Sequence, residues 1–252
     1  MDPVQEVKEQ TVSGENEPVI SPEEAEAVSA VFESHRAFYG LLSRLYYSPL
    51  TQEEIDRLKT TLSDYNFDAD ADDDASKLLH DGLHMMRTEL RSIDHDLRLD
   101  FNVDYTSAFY GIARYEKQVA TPYESIFRGE RRELYGEARD DVFSAMKHDR
   151  LKLKEGIDLP EDHLSFELQY LAILCERGKE SMASGDYEEV LKNVKKQRAF
   201  IAEHILSWID DLAKVANKVL EYDFYRGVLM ATKGFLVLAD EELASVEEAL
   251  EQ

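Results

Sequence analysis

The sequence predicts an all-α fold, a single-domain bundle of about ten helices, on three observations. Apolar residues recur at spacings of three and four along most of the chain. Helix-capping residues stand where these runs begin. No alternating strand of convincing length, hairpin dipeptide or internal repeat interrupts them. With 252 residues and 43% hydrophobic content, the chain is long enough to bury one sizeable core.

The first half of the chain contains four predicted helices. Residues 1–20 are polar and acidic and are expected to form a flexible tail before a helical domain at 21–252. Ser21-Pro22-Glu23-Glu24 has the composition of a helix start, and this helix stops at Ser48-Pro49. Thr51 caps a short second helix. Two further helices are predicted, over about 75–92 and about 94–110.

The second half begins with the longest irregular connection in the interior of the chain, residues 111–130. Long internal loops are more often functional than not. The helical pattern then resumes in a series of predicted helices: about 131–147, Pro160 to near Gly178, one capped by Asp186, 208–220, 223–239 and a short acidic one at the end.

Net charge restricts the classes of partner. The chain has 29 Lys plus Arg and 53 Asp plus Glu, a formal net charge of -24. This charge repels nucleic acid phosphates and favours a basic partner. An acidic surface also serves solubility alone, so both interpretations stay open.

Targeting signals and cysteine usage predict a cytoplasmic protein. One cysteine, Cys175, excludes an internal disulfide and a Cys-x-x-Cys metal site, and its apolar setting predicts a core thiol. No segment reaches the ~18 apolar residues of a membrane span, and the N-terminus does not have the pattern of a signal peptide.

Candidate metal and nucleotide motifs are incomplete. The acidic run Asp68–Ala75 has the alternate spacing of a calcium loop, but it carries Asp73 where Gly is needed and Leu79 at the closing Glu position. His80 and His84 share a helix face without a third ligand or the Glu of the zinc-protease motif. No Walker loop, Gly-x-Gly-x-x-Gly or Gly-x-Ser-x-Gly is present, so no cofactor or metal is predicted.

Asp162-His163 is the remaining candidate for chemistry. One interpretation makes His163 a base oriented by Asp162, while the other places Pro160 and the acids in the first turn of a helix. A catalytic site also needs a nucleophile and an oxyanion site, and neither is visible. A structural or ligand-contacting cap is therefore favoured over an enzyme.

Four segments of the chain resemble the TorD/DmsD/NarJ-type chaperones that mature molybdenum oxidoreductases, most closely the TorD/DmsD branch. The last two are specific as a pair. The segments are His35–Leu45 through Pro49, Asp104-Tyr105 through Gly111, Thr121-Pro122-Tyr123-Glu124-Ser125 with Leu134-Tyr135-Gly136, and Leu159–Leu168 with its Pro-x-Asp-His signature. Ala108 departs from the usual Leu-Phe pair, and Tyr123 stands where some members have Trp.

The resemblance implies a TorD-like cytoplasmic chaperone without catalytic activity. It would bind the twin-arginine leader of a molybdopterin oxidoreductase precursor of the dimethyl-sulfoxide-reductase type, hold it for cofactor insertion and prevent premature export. The implied leader-binding residues are Tyr39, Tyr105, Phe109, Pro122, Tyr123, Ser125, Gly136, Pro160, Asp162 and His163. We further hypothesise that Glu124 and Asp162 contact the leader arginines and that His163 orders the two loops.

Other expectations stay open. An assembly factor of the nitrate reductase type would bind a respiratory subunit that is not exported. A small helical metal-binding protein or enzyme would use His163 with Asp162, or His80 with His84. Either a monomer or a domain-swapped dimer fits the family. The sequence does not decide whether the protein binds a guanine nucleotide or the molybdenum cofactor. Transient contact with export machinery is also undecided.

Overall fold

The computed structural model describes residues 20–65, 73–92, 96–115, 118–129 and 133–251. Within them it contains α-helices and no strand, which confirms the all-α prediction. The helices are α1 (Pro22–Tyr47), α2 (Gln52–Asp64), α3 (Asp74–Leu90), α4 (Leu97–Ala108), α5 (Glu124–Phe127), α6 (Glu137–His148), α7 (Leu164–Ser184), α8 (Tyr187–Glu203), a 3-10 helix (Ile205–Ser207), α9 (Ile209–Ala216) and α10 (Asp223–Leu250).

The first two helices begin where their cap residues predict. The Ser21 hydroxyl accepts from the N–H of Glu24 at 3.3 Å, and the Glu24 carboxylate accepts from the N–H of Ser21 at 2.7 Å. Thr51 and Glu54 make the same reciprocal pair at 3.3 and 2.8 Å. These capping boxes satisfy backbone donors that a helix start leaves unpaired, so local sequence is enough to define both starts.

Helix α7 differs from its prediction at both ends. It begins at Leu164, not Pro160, because Pro160–His163 form a turn and His163 is the cap residue. It also continues past Gly178 to Ser184. A Cβ on Gly178 would lie 2.8 Å from the ring of Phe32, so this glycine is a packing residue inside the helix. The real stop is Gly185, with a φ of 73°.

The C-terminal region is one helix, so the predicted end near Ala239 is wrong. Ala239 and Leu243 are both fully buried, and their apolar stripe carries α10 on to Leu250. Several predictions lie outside the described residues. They are the starts of α4 and α6, the acidic tail up to residue 19, and most of the acidic run Asp68–Ala75. Asp73, at the end of that run, caps α3 by accepting from the N–H of Ser76 at 2.7 Å.

Two helix pairs, α3 with α10 and α1 with α7, form the main contacts around one core to which every α-helix contributes. The α3–α10 contact depends on glycine. A Cβ on Gly82 would lie 2.5 Å from the backbone nitrogen of Ala231, and one on Gly227 would lie 2.6 Å from the Gly82 carbonyl oxygen. The two backbones therefore touch directly. Among the described helices, none has the length and apolar character needed to cross a membrane.

Candidate functional site

Two loops that are distant in sequence lie side by side. We call Thr121–Ser125 and Pro160–His163 the loop pair. The N–H of Glu124 donates to the carbonyl oxygen of Asp162 at 3.0 Å, and the N–H of Leu164 donates to that of Pro122 at 2.8 Å. Tyr123 and His163 thereby form an isolated antiparallel bridge. The two motifs that the sequence singles out are thus one structural unit.

Asp162 adds a side-chain bond to this unit. Its Oδ2 accepts from the N–H of Ser125 at 2.8 Å, while its Oδ1 has no hydrogen-bond partner. The carboxyl group is buried, and desolvation raises its pKa despite the bond from Ser125. Asp162 is therefore a structural acceptor that holds the start of α5.

His163 is a buried, neutral cap. Its Nδ1 accepts from the N–H of Ser165 at 3.2 Å, which leaves the proton on Nε2. Its ring meets the Tyr123 ring edge to face, with centroids 4.8 Å apart. Burial lowers the pKa of His163 to about 3. Because Asp162 bonds to Ser125 and not to the imidazole, the acid–base pair that a catalytic reading requires is not formed.

A charged cluster lies beneath the loop pair. The buried Glu124 carboxylate pairs with Arg128 and with His204 Nδ1, the latter at 2.9 Å. Arg128 also donates to the Glu203 carbonyl oxygen at 2.8 Å. Burial raises the pKa of Glu167 well above its usual range, and the neighbouring Glu124 carboxylate raises it further. Glu167 is thus held in its neutral form.

The structure brings most of the predicted leader-binding residues together but leaves few of them at the surface. Tyr123 and Gly136 are half-exposed, and a Cβ on Gly136 would lie 3.5 Å from that of Ser125. The other members are buried: Tyr39, Tyr105, Phe109, Pro122, Glu124, Ser125, Pro160, Asp162 and His163. In this conformation the buried members support the surface from below and do not form it.

Three predicted aromatic residues have core contacts. The hydroxyl of Tyr105 donates to the carbonyl oxygen of Tyr46 at 2.8 Å, and its ring meets that of Phe109 at 5.3 Å. Tyr39 packs against Phe235 on α10, with ring centroids 5.1 Å apart. Among the ring contacts of the described residues, those of Tyr39 are with His35 and Phe235, and none joins it to the loop pair.

The exposed part of this region is aromatic. Tyr110 is 56% exposed and Tyr135 is 62% exposed. Burial raises the pKa of Tyr123 to about 12, and Asp162, Tyr135 and Tyr110 add to this, so Tyr135 and Tyr110 each lie within electrostatic range of Tyr123. The sequence analysis does not include Tyr135 among the binding residues, although Tyr135 directly precedes Gly136 in the Leu-Tyr-Gly segment. In the structure, its positive φ of 63° distinguishes it from its neighbours.

Exposed carboxylates follow Tyr135 along the chain. Glu137 and Asp141, in the first turns of α6, are exposed. Glu161 is engaged by Arg139 at 2.7 Å, and Arg139 lies 6.0 Å from the Tyr135 ring centre. Among the described residues, no group of three or more His, Cys, Asp or Glu side chains could hold a metal ion. The surface therefore offers aromatic contact area and negative charge.

Comparison with known proteins identifies the family. The family model "Nitrate reductase delta subunit" matches residues 53–214. "Chaperone protein TorD" of Vibrio vulnificus (strain YJ016) is 28% identical over 218 residues, 86% of this chain and 97% of the relative. "Chaperone protein TorD" of Vibrio atlanticus (strain LGP32) is 26% identical over 214 residues, 84% of this chain and 96% of the relative.

These relatives are named as chaperones, which confirms the prediction that the chain is not an enzyme. The family model spans more than half of the chain. The chain therefore belongs to the nitrate reductase delta subunit family, the TorD/NarJ-type chaperones that its motifs resemble.

Proposed function

We propose that this protein is a cytoplasmic maturation chaperone that binds the twin-arginine leader of a molybdopterin oxidoreductase precursor. It holds the precursor for cofactor insertion and prevents premature export. The observation that carries the proposal is the loop pair: two motifs that resemble those of the chaperone family are joined by backbone hydrogen bonds beneath an exposed aromatic surface.

The chemistry of the surface fits such a leader. A leader combines two arginines with an apolar stretch, and its counterpart needs carboxylates beside aromatic rings. Tyr110, Tyr123 and Tyr135 supply the rings, and the net charge of -24 attracts the arginines over a distance. We infer that the peptide lies across these rings and contacts Gly136 at the start of α6.

The arginines need exposed acceptors. Glu124 and Asp162, the carboxylates first hypothesised to bind them, are fully buried and already bonded. They would reach a leader only if the loop pair opened. We therefore assign the arginines to Glu137 and Asp141, which are exposed in α6, the helix that begins two residues after Tyr135. Asp162 and His163 then act by holding the surface in shape.

A peptide-binding measurement tests the proposal. A fluorescent leader peptide from a molybdopterin oxidoreductase of the same organism is titrated with the protein, and the anisotropy is followed. The matched control replaces both leader arginines by lysine, which keeps the charge but removes bidentate pairing. We expect affinity to fall about tenfold with lysine, in line with the greater strength of charge-assisted bidentate bonds. Equal affinity for both peptides contradicts the twin-arginine proposal.

The family description favours a second candidate. The matching model is that of the nitrate reductase delta subunit, so we also propose an assembly factor for a respiratory subunit that is not exported. This candidate predicts binding to another segment of a catalytic subunit, one that has no arginine pair. The same titration with that segment distinguishes the two proposals.

A further inference from the structure

A groove of about 530 Å³ lies between the C-terminal end of α1, the α6–α7 connection and the N-terminal half of α7. We call it the basic-rimmed groove. It is lined mostly by apolar residues, among them Leu151, Leu153 and Ile157, and by the cations Arg44, Lys152 and Lys154. Together these residues provide an apolar trough bordered by positive charge.

The floor of the groove is formed by rings and aliphatic chains that the core leaves partly uncovered. Tyr47 is 40% exposed, and its ring centre is 6.0 Å from that of Phe166. Leu151, Leu153 and Ile157 pack against the core while remaining half-exposed. Because the groove is open on one side, it suits side chains projecting from a polypeptide better than a small molecule, which binding pockets mostly enclose.

The rim results from a two-residue alternation. Residues 151–154 read Leu-Lys-Leu-Lys and have no helical structure. In extended chain, successive side chains point to opposite sides. Leu151 and Leu153 are half-buried, whereas Lys152 and Lys154 are exposed. The short segment therefore contributes apolar atoms to the floor and ammonium groups to the rim.

These two lysines differ from many cations of this acidic chain. Many bases elsewhere are paired with carboxylates: Lys179 pairs with Glu33 at 2.5 Å, and Arg198 pairs with Glu247 at 2.6 Å. Within the described part of the chain, Lys152 and Lys154 make no ion pair.

Neighbouring carboxylates do not neutralise the rim. Asp149 is occupied by Lys196 and by the Tyr170 hydroxyl, both at 2.5 Å. Glu155 and Asp158 follow the lysines in sequence, but neither lines the groove. Arg44, the third cation of the lining, is bonded to Glu54 at 2.6 Å. The positive charge available to a partner is therefore that of Lys152 and Lys154.

We propose that the basic-rimmed groove binds an amphipathic segment of a partner protein, with two or three aliphatic side chains on the floor and carboxylates against Lys152 and Lys154. Charge complementarity selects this occupant. On a chain with a net charge of -24, long-range attraction favours basic partners, so an acidic segment is drawn only to a local positive site.

This inference goes beyond leader binding. A twin-arginine leader is repelled by the rim and attracted by the aromatic surface over the loop pair, so the two surfaces prefer ligands of opposite charge. A client could then be held at two points, by its basic leader and by an acidic segment of its folded part. If one site is removed by mutation, binding at the other can still be measured. The two proposals can therefore be tested independently.

The test uses a defined probe on the full chain. A labelled helical peptide with Leu at i, i+3 and i+7 and Glu at the flanking positions is titrated by anisotropy at low and at physiological salt. The control probe has Lys at each Glu position. We expect only the Glu peptide to bind, with affinity falling as salt rises. The double variant Lys152→Glu/Lys154→Glu should weaken binding about tenfold, since two exposed attractions become repulsions.

Matched protein controls separate the groove from net charge. Lys214→Glu/Lys218→Glu makes the same charge change at two exposed positions, one in α9 and one just after its end. This variant should leave the affinity for the Glu peptide unchanged. Ile157→Ser should weaken binding by removing floor area, with folding verified by thermal unfolding. Equal binding of both probes, or equal loss in both lysine double variants, overturns the proposal. Leader affinity should not fall in Lys152→Glu/Lys154→Glu, because the added negative charge does not oppose a basic leader.

Discussion

The N–H of Ser125 donates a 2.8 Å hydrogen bond to Oδ2 of Asp162, a residue 37 positions further along the chain. It is the side-chain bond of a contact otherwise made by backbone atoms. Because both residues are buried, water cannot replace this bond when it is lost.

Removal of the Asp162 carboxylate should therefore destabilise the fold. Asp162→Ala leaves a buried donor unpaired, and we expect a loss of about 1–3 kcal/mol in the free energy of unfolding. Asp162→Asn keeps an acceptor oxygen and should lose less. Urea denaturation measures both, with Asp158→Ala as an exposed control. If Asp162→Ala is as stable as Asp158→Ala, the bond does not stabilise the loop pair.

Glu167 should make the protein less stable as the pH rises. Burial and Glu124 raise its folded pKa well above 4.5, so the folded protein keeps a proton that the unfolded chain releases above about pH 4.5. Glu167→Gln removes this penalty and should be more stable than the wild type at pH 7, with a difference that shrinks towards pH 4. Thermal unfolding across pH 4–8 measures it. Glu180→Gln, exposed on the same helix, should show no such trend.

His163 should have the opposite effect. The pKa of His163 in the folded protein is about 3, below the usual 6.5. Between these two pH values the unfolded chain is protonated at His163 and the folded protein is not. Stability is fully present above pH 6.5 and is lost as the pH falls towards 3. His163→Asn keeps an N-cap acceptor without the titration, so it should flatten this acid loss. His148→Asn, at an exposed site, is the control; identical acid curves for both variants would exclude His163 as the cause.

The glycine contact between α3 and α10 should tolerate no added methyl group. Gly82→Ala places Cβ 2.5 Å from the backbone nitrogen of Ala231, and overpacking of this kind costs about 1–3 kcal/mol. Gly40→Ala is the matched helical control, because nothing lies within 4 Å of its Cβ. It should gain up to about 1 kcal/mol from helix propensity. Opposite shifts of the two unfolding midpoints are expected, and a stable Gly82→Ala variant would show that the helices can separate at little cost.

Tyr135 should contribute to binding without contributing to stability. It is 62% exposed, so Tyr135→Asn removes contact area for the leader while Asn tolerates the φ of 63°. We expect about a fivefold loss of leader affinity, which corresponds to about 1 kcal/mol. Tyr65→Asn, 40% exposed on the end of α2, is the control for loss of a surface tyrosine. Equal affinities of the two variants would remove Tyr135 from the proposed surface.

Local sequence predicted the helix starts that depend on local bonds. Ser21, Thr51 and Asp186 each bond within three residues of themselves, so spacing alone reveals them. Gly178 was misinterpreted as a helix end because its function is to admit the ring of Phe32 from another helix. Such a contact has no signature in the neighbouring residues.

Residue types alone also do not predict that the site residues are buried. Asp162, Glu124 and Glu167 are charged residues that normally lie at a surface, yet each is fully buried. Asp162 accepts a hydrogen bond from the N–H of Ser125, and Glu124 forms an ion pair with Arg128. The proximity of the loop pair followed from motif resemblance, while the exposed Tyr135 required the structure.

The backbone character of the loop pair has an evolutionary consequence. The bonds from Glu124 and Leu164 use only main-chain atoms, which every residue type provides except for the donor that proline lacks. A lineage can therefore exchange Tyr123, and with it the proposed leader preference, without breaking the main-chain bonds beneath. Diversification among partners would then proceed by single substitutions that pass through folded intermediates at every step.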